Sequence, residues 1–139
     1  MSAIDDALDA AMRGEDAAIY AYGILGAHLT GVALALARQG EASHRDQRDA
    51  LLETMSDPPS TDVTYALPFP VTDAASAIRL AVNVEEHCAV LWRAVVVASA
   101  PTDRTAPLGT LADTANRAAA WRRAGGATPG TAAFPGLSA

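Results

Sequence analysis

Residues 4–25, IDDALDAAMRGEDAAIYAYGIL, decide how this chain is read. Ile4, Leu8, Ala11, Glu15, Ala18, Tyr22 and Leu25 follow alternating steps of three and four, which sets them on one face of an α-helix. Glu15 occupies a place on that face where the period calls for leucine or alanine. A carboxylate on a core-facing stripe is costly unless a metal, a proton or an arginine compensates it.

The same anomaly recurs downstream. Ala75, Ile78, Val82, Glu85, Ala89, Trp92 and Val96 form a second strong stripe, opened by Thr72-Asp73 as a cap with an acidic first turn, and Glu85 again falls inside it. Between the two lies a weaker stripe of Ala33, Ala37, Gly40, His44, Gln47, Leu51 and Thr54. Leu29-Thr30-Gly31 supplies the first corner, and Asp57-Pro58-Pro59 stops the second helix. Pro101-Thr102-Asp103 marks a further corner, and a fourth helix runs to Arg123 before Gly125-Gly126 gives a left-handed stop. The pattern predicts an all-α four-helix bundle over residues 1–126 with an irregular tail over 127–139. Within that tail, Phe134-Pro135-Gly136-Leu137 either docks on the bundle or stays disordered.

Loop lengths refine the prediction. Short corners make helices one and two, and three and four, antiparallel pairs. Asp57 to Val71, roughly 15 residues at about 3.3 Å each, is long enough to run the length of the bundle as a crossover between helices two and three. Helical arithmetic then sets Glu15, His44, Glu85 and Arg117 at one height, with Glu41 a turn before His44 on the same face. These five residues form the expected polar centre.

Composition narrows the function classes. With 139 residues the chain is one domain with a real core, and its 50% hydrophobic but 5% aromatic make-up predicts a close-packed interior of small aliphatic side chains. A net charge of −6, with ten arginines and no lysine, lacks the basic stripe that nucleic acid requires. A sole cysteine, Cys88, excludes an internal disulfide and fits a reducing compartment such as the cytoplasm. No leader pattern and no membrane-spanning apolar run is legible, so a soluble protein is expected.

Glu15, Glu41-x-x-His44 and Glu85 resemble the first three elements of the ferritin-like di-iron carboxylate pattern. The runs Glu15-Asp16-Ala17-Ala18-Ile19-Tyr20-Ala21-Tyr22-Gly23, Tyr65-Ala66-Leu67-Pro68-Phe69-Pro70-Val71 and Phe134-Pro135-Gly136-Leu137 resemble a bacterial family of ferritin-like domains of unknown function. The resemblance implies a ferritin-like fold and names no activity. A complete di-iron site would need a second Glu-x-x-His on helix four, which instead carries Asp113 and Arg117.

Two accounts of the centre follow. In one, Glu15, Glu41, His44 and Glu85, with water and Asp113, bind iron or manganese in a small di-iron or di-manganese carboxylate oxidoreductase. In the other, Arg117 takes the metal's place by pairing with Glu15 or Glu85, and the bundle has no redox chemistry and no cofactor. Charge balance favours the second, because a guanidinium always carries its charge and would repel a cation. Such a bundle acts through a partner or self-association, and Leu34, Leu36, Val90 and Leu91 suggest a helix-face homodimer. A proline-bearing surface ligand, from Pro58, Pro59, Pro68 and Pro70, is a third reading.

Plainer roles are also open. Glu15, Glu41 and Glu85 can reach solvent, His44 can be a boundary histidine, and Asp113 with Arg117 can form a surface i, i+4 pair. Tyr20, Tyr22 and Trp121 read as packing residues, Cys88 as a small buried apolar one, and Glu86 with His87 as a solvated face.

Overall fold

The computed structural model describes residues 2–62, 64–127 and 134–137. Four α-helices pack into a bundle: α1 (Ala3–Gly26), α2 (Gly31–Thr54), α3 (Ala74–Ala98) and α4 (Thr105–Ala124), with a 3-10 turn at Pro101–Asp103. No strand occurs among the described residues, and no described helix is long and apolar enough to cross a membrane.

Local chemistry sets the helix starts. Ser2 accepts from the Asp5 N–H while the Asp5 carboxylate accepts from the Ser2 N–H, so two otherwise orphaned donors are satisfied at the head of α1. Asp73 and Ser76 repeat this capping box at the head of α3. Thr72-Asp73 is therefore the start the sequence predicts, with Asp73 as the cap. At the other end of the chain, Gly126 follows α4 with φ of 83°, the left-handed stop expected of Gly125-Gly126. α4 has 20 residues, shorter than the roughly 25 of the other helices, because the Pro101 corner consumes a turn as 3-10 helix.

Helix directions follow from which residues meet. Glu15 reaches Trp92 and Tyr22 reaches Glu85, so α1 and α3 run antiparallel. Likewise Gly40 lies against Tyr22 and His44 against Glu15, while Glu85 meets Arg117 and Ile78 meets Gly125. α1 is thus antiparallel to α2, and α3 to α4. α1 and α3 form the spine, with α2 packed on α1 and α4 on α3. α2 and α4 touch only lightly.

Burial divides into two apolar clusters. One gathers Ala21, Tyr22, Leu25, Leu29, Ala37, Ala77, Leu80, Ala81 and Trp121; the other gathers Ala11, Met12, Ala18, Leu51, Cys88, Trp92 and Val95. The α3 face that is buried includes Ala77, Ala81, Cys88 and Val95, one step round from the predicted Ala75, which is exposed. Met55, just past α2, packs on the second cluster; the Tyr65 ring lies 5.9 Å from Tyr20; Leu67, Phe69 and Val71 pack on the first cluster. The prolines at 58, 68 and 70 are exposed.

The residues expected on a helix-face dimer differ in burial. Leu34 and Leu36 are partly buried against the first cluster, and Leu91 covers Gly14 of α1. Val90 remains 39% exposed, joined by Val97 at 61% and Leu108 at 49%. Of the tail, 128–133 and 138–139 lie outside the described residues. Phe134–Leu137 forms a turn whose Gly136 approaches α3 so closely that an added Cβ would stand 2.7 Å from the Ala89 carbonyl oxygen.

Candidate functional site

Between the two apolar clusters lies a polar centre to which all four helices contribute. Glu15 from α1, His44 from α2 and Glu85 from α3 have no solvent exposure, and Arg117 from α4 is 14% exposed. His44 stands between the glutamates, with Nδ1 2.6 Å from Glu15 Oε2 and Nε2 2.8 Å from Glu85 Oε1. With both glutamates ionised, both contacts are hydrogen bonds when both ring nitrogens carry protons, an imidazolium held by two carboxylates.

The remaining donors close a ring. Arg117 Nε donates to both Glu85 oxygens at 3.3 Å, and its Nη2 donates to Thr114 Oγ1 at 3.2 Å. With the Gln47 amide turned so that its oxygen accepts from Arg117 Nη2 at 3.1 Å, its NH2 donates to both Glu15 oxygens at 3.1 Å. Glu15, His44, Glu85, Arg117 and Gln47 then form one closed circuit. Two negative and two positive groups cancel, which is the condition for keeping four ionic side chains inside a protein.

Aromatic donors complete the acceptors. Trp92 Nε1 donates to Glu15 Oε1 at 2.6 Å, Tyr22 donates to Glu85 Oε1 at 2.5 Å, and Trp121 Nε1 donates to the Tyr22 hydroxyl at 2.8 Å. Tyr22 fits because residue 40 is glycine; a Cβ there would lie 2.6 Å from the Tyr22 ring. Gly40 thus holds the inward place that its position on the α2 stripe predicts.

Protonation follows from these contacts. Burial alone would depress the His44 pKa, but the hydrogen bonds and charges of Glu15 and Glu85 outweigh it and raise it to about 9. Burial would raise Glu85, yet the His44 hydrogen bond and charge, with Arg117 and Tyr22, hold its carboxyl below the usual value. Tyr22 is pushed well up by burial and then by the Glu85 charge, so it remains a neutral donor. Burial, with the Glu15 and Glu85 charges, likewise pushes the Cys88 thiol well up.

The structure brings together Glu15, His44, Glu85 and Arg117 and leaves Glu41 out. Gly40, four residues before His44, takes the inward place, while Glu41 sits at the edge and pairs with Arg45 at 3.0 Å. Asp113 is exposed, and Arg117 turns inward to Glu85, not to a surface pair with Asp113. Gln47, Thr114 and Trp92 were missed as site members, and Tyr22 and Trp121 were read as packing residues whose polar atoms reach partners, without those partners being named. A usable signal existed: Tyr22 and Trp92 each lie seven residues after a buried glutamate, on the same helical face. Glu86 is exposed and forms an ion pair with Arg122 on α4.

The family described as "Domain of unknown function (DUF4439)" matches residues 7–139. The chain belongs to the DUF4439 family. It is also similar to the crystal structure of a conserved hypothetical protein, rv2844, from Mycobacterium tuberculosis, at 38% identity and a TM-score of 0.85, over 96% of this chain and 97% of that one. No curated protein matches the chain. For a DUF4439 member, then, fold likeness carries no activity, and function has to be argued from the polar centre.

Proposed function

We propose that this DUF4439 protein is a ferritin-like bundle whose centre is balanced by protein charges instead of a dinuclear metal site, and that it acts through self-association or a partner. The ferritin-like topology is supported by α2 and α3 both running antiparallel to α1. The connection 55–73 must then pass along the bundle, and its contacts move from the Met55 cluster past Tyr20 to the Val71 cluster. A buried free cysteine suits a reducing compartment, the cytoplasm by default.

One observation carries the reading: His44 bridges the two buried carboxylates and Arg117 pairs with Glu85, so a protonated His44 and Arg117 together balance both negative charges. A dinuclear iron or manganese centre does not fit this donor set. Glu41 faces Arg45, α4 contributes a guanidinium where a carboxylate ligand is needed, and Arg117 Nε engages both Glu85 oxygens. Oxidoreductase chemistry of that kind is therefore the disfavoured alternative.

Self-association is assigned to the α3–α4 face. Val97 and Leu108 lie within about a turn of the same level on the antiparallel α3–α4 pair, and Val90 stands two turns before Val97 on α3; all three are exposed. The test has two arms. Protein purified without chelator and offered iron and manganese should hold less than one ion per ten chains, and sedimentation should show a dimer lost on Val97→Asp. Stoichiometric iron or manganese would overturn the charge-balance reading, and a wild-type monomer would overturn the dimer.

A further inference from the structure

We propose that Glu15, His44 and Cys88 form a mononuclear site for a thiophilic divalent cation of the zinc type. The three residues come from α1, α2 and α3, and each is fully or almost fully buried. One ligand atom from each, a carboxylate oxygen, an imidazole nitrogen and the thiol sulfur, lies within 4.8 Å of the other two. Cys88 is not part of the carboxylate pattern on which the sequence comparison with di-iron proteins rests. It stands one turn after Glu85 on the buried face of α3, where its Sγ lies 3.8 Å from the Gly14 carbonyl oxygen.

The outer contacts favour a metal at this corner of the centre. Glu15 Oε1 is held by Trp92, and Oε2 faces His44 Nδ1 with the Gln47 NH2 as its second neighbour. His44 Nε2 is held by Glu85, and Glu85 in turn by Arg117 and Tyr22. Ligating histidines are oriented in this way, with the distal ring N–H given to a carboxylate. The second glutamate and the arginine thus become supports of a metal site instead of competitors for it, since the Arg117 charge is spent on Glu85.

Charge permits the exchange. Without metal, two carboxylates balance an imidazolium and a guanidinium. With a divalent cation bound, His44 gives up its Nδ1 proton and Cys88 its thiol proton; the ion then balances the Glu15 carboxylate and the Cys88 thiolate, while Glu85 still balances Arg117. The interior is neutral in both states, so the cation enters without leaving a stranded buried charge. A carboxylate, imidazole and thiolate set suits zinc, with a fourth position for water.

Cobalt(II) is the probe, loaded by refolding the full chain from denaturant with the ion present. The expected result is one cobalt per chain with a thiolate-to-cobalt charge-transfer band, bleached by added zinc. Cys88→Ala, a small change at a buried site, should abolish the band and weaken binding at least 100-fold. Folded wild-type protein that takes up no cobalt overturns the proposal, as does cobalt bound without the band or bound equally by Cys88→Ala, which would mark a surface site. Such failure leaves the charge-balanced bundle standing, because that reading turns on iron and manganese.

Discussion

Trp92 donates its indole N–H to Glu15 at 2.6 Å across the antiparallel α1–α3 pair. The bond has a counterpart. Tyr22, seven residues after Glu15, donates to Glu85, and Trp92 is itself seven residues after Glu85. Each spine helix therefore carries one buried acceptor and, two turns later, the donor for the other helix's acceptor. His44 joins the two acceptors, so the register of α1, α2 and α3 is fixed by polar contacts as well as by packing.

Removing one of these donors isolates its contribution. Trp92→Phe keeps most of the buried ring and deletes the bond to a charged acceptor, and should cost about 2–3 kcal/mol in denaturant unfolding. A loss below about 0.5 kcal/mol would show that Glu15 does not depend on Trp92.

Arg117→Leu removes one of the two positive charges and leaves Glu85 in excess. Since Arg117 is 14% exposed and Glu85 keeps His44 and Tyr22, a cost of about 3 kcal/mol is expected, at the low end for a broken buried pair. Arg117→Lys should recover part of it. An unchanged melting temperature for Arg117→Leu would contradict the pairing.

Two glycine-to-alanine changes should move stability in opposite directions. At Gly109 nothing lies within 4 Å of an added Cβ, so alanine should stabilise α4 by roughly 0.5–1 kcal/mol. At Gly40 the same atom meets the Tyr22 ring and hydroxyl at 2.6–2.7 Å, so alanine should destabilise by about 1–3 kcal/mol despite its better helix propensity. Thermal unfolding of the two variants checks this, and a shared sign would count against the packing.

Stability should depend on pH through His44. Its folded pKa of about 9 lies above the ordinary 6.5, so its contribution is complete below pH 6.5 and is lost as pH rises through 9. The loss is on the order of 3 kcal/mol. Glu85 acts in the opposite sense: its lowered pKa gives stability above the ordinary carboxylate range that disappears on acidification. Urea unfolding across pH 5 to 10 should show the alkaline decline, and His44→Gln should flatten it.

Much of this was legible in the sequence because helical period and corner signals are strong here. Glu15, His44, Glu85 and Arg117 could be set at one height by counting from Gly31 and Pro101. Glu41 could not be separated from Gly40 in that way, since residues three and four before His44 both lie near its face, and only packing against Tyr22 decides which turns inward. Gln47 was on the stripe but carried no charge to flag it. Trp92 was hidden by its apolar bulk, although its N–H needs a partner once buried. Leu91 was harder to place for a related reason: a single stripe per helix ignores the second face that α3 buries as a spine helix.

The charge state of His44 is the direct test of the whole arrangement. Two-dimensional nitrogen-15 NMR of the imidazole at pH 7, on metal-free protein, should show Nδ1 and Nε2 both protonated and a titration near pH 9. A neutral tautomer at pH 7, with one bare nitrogen and a titration at or below 6.5, would contradict the account.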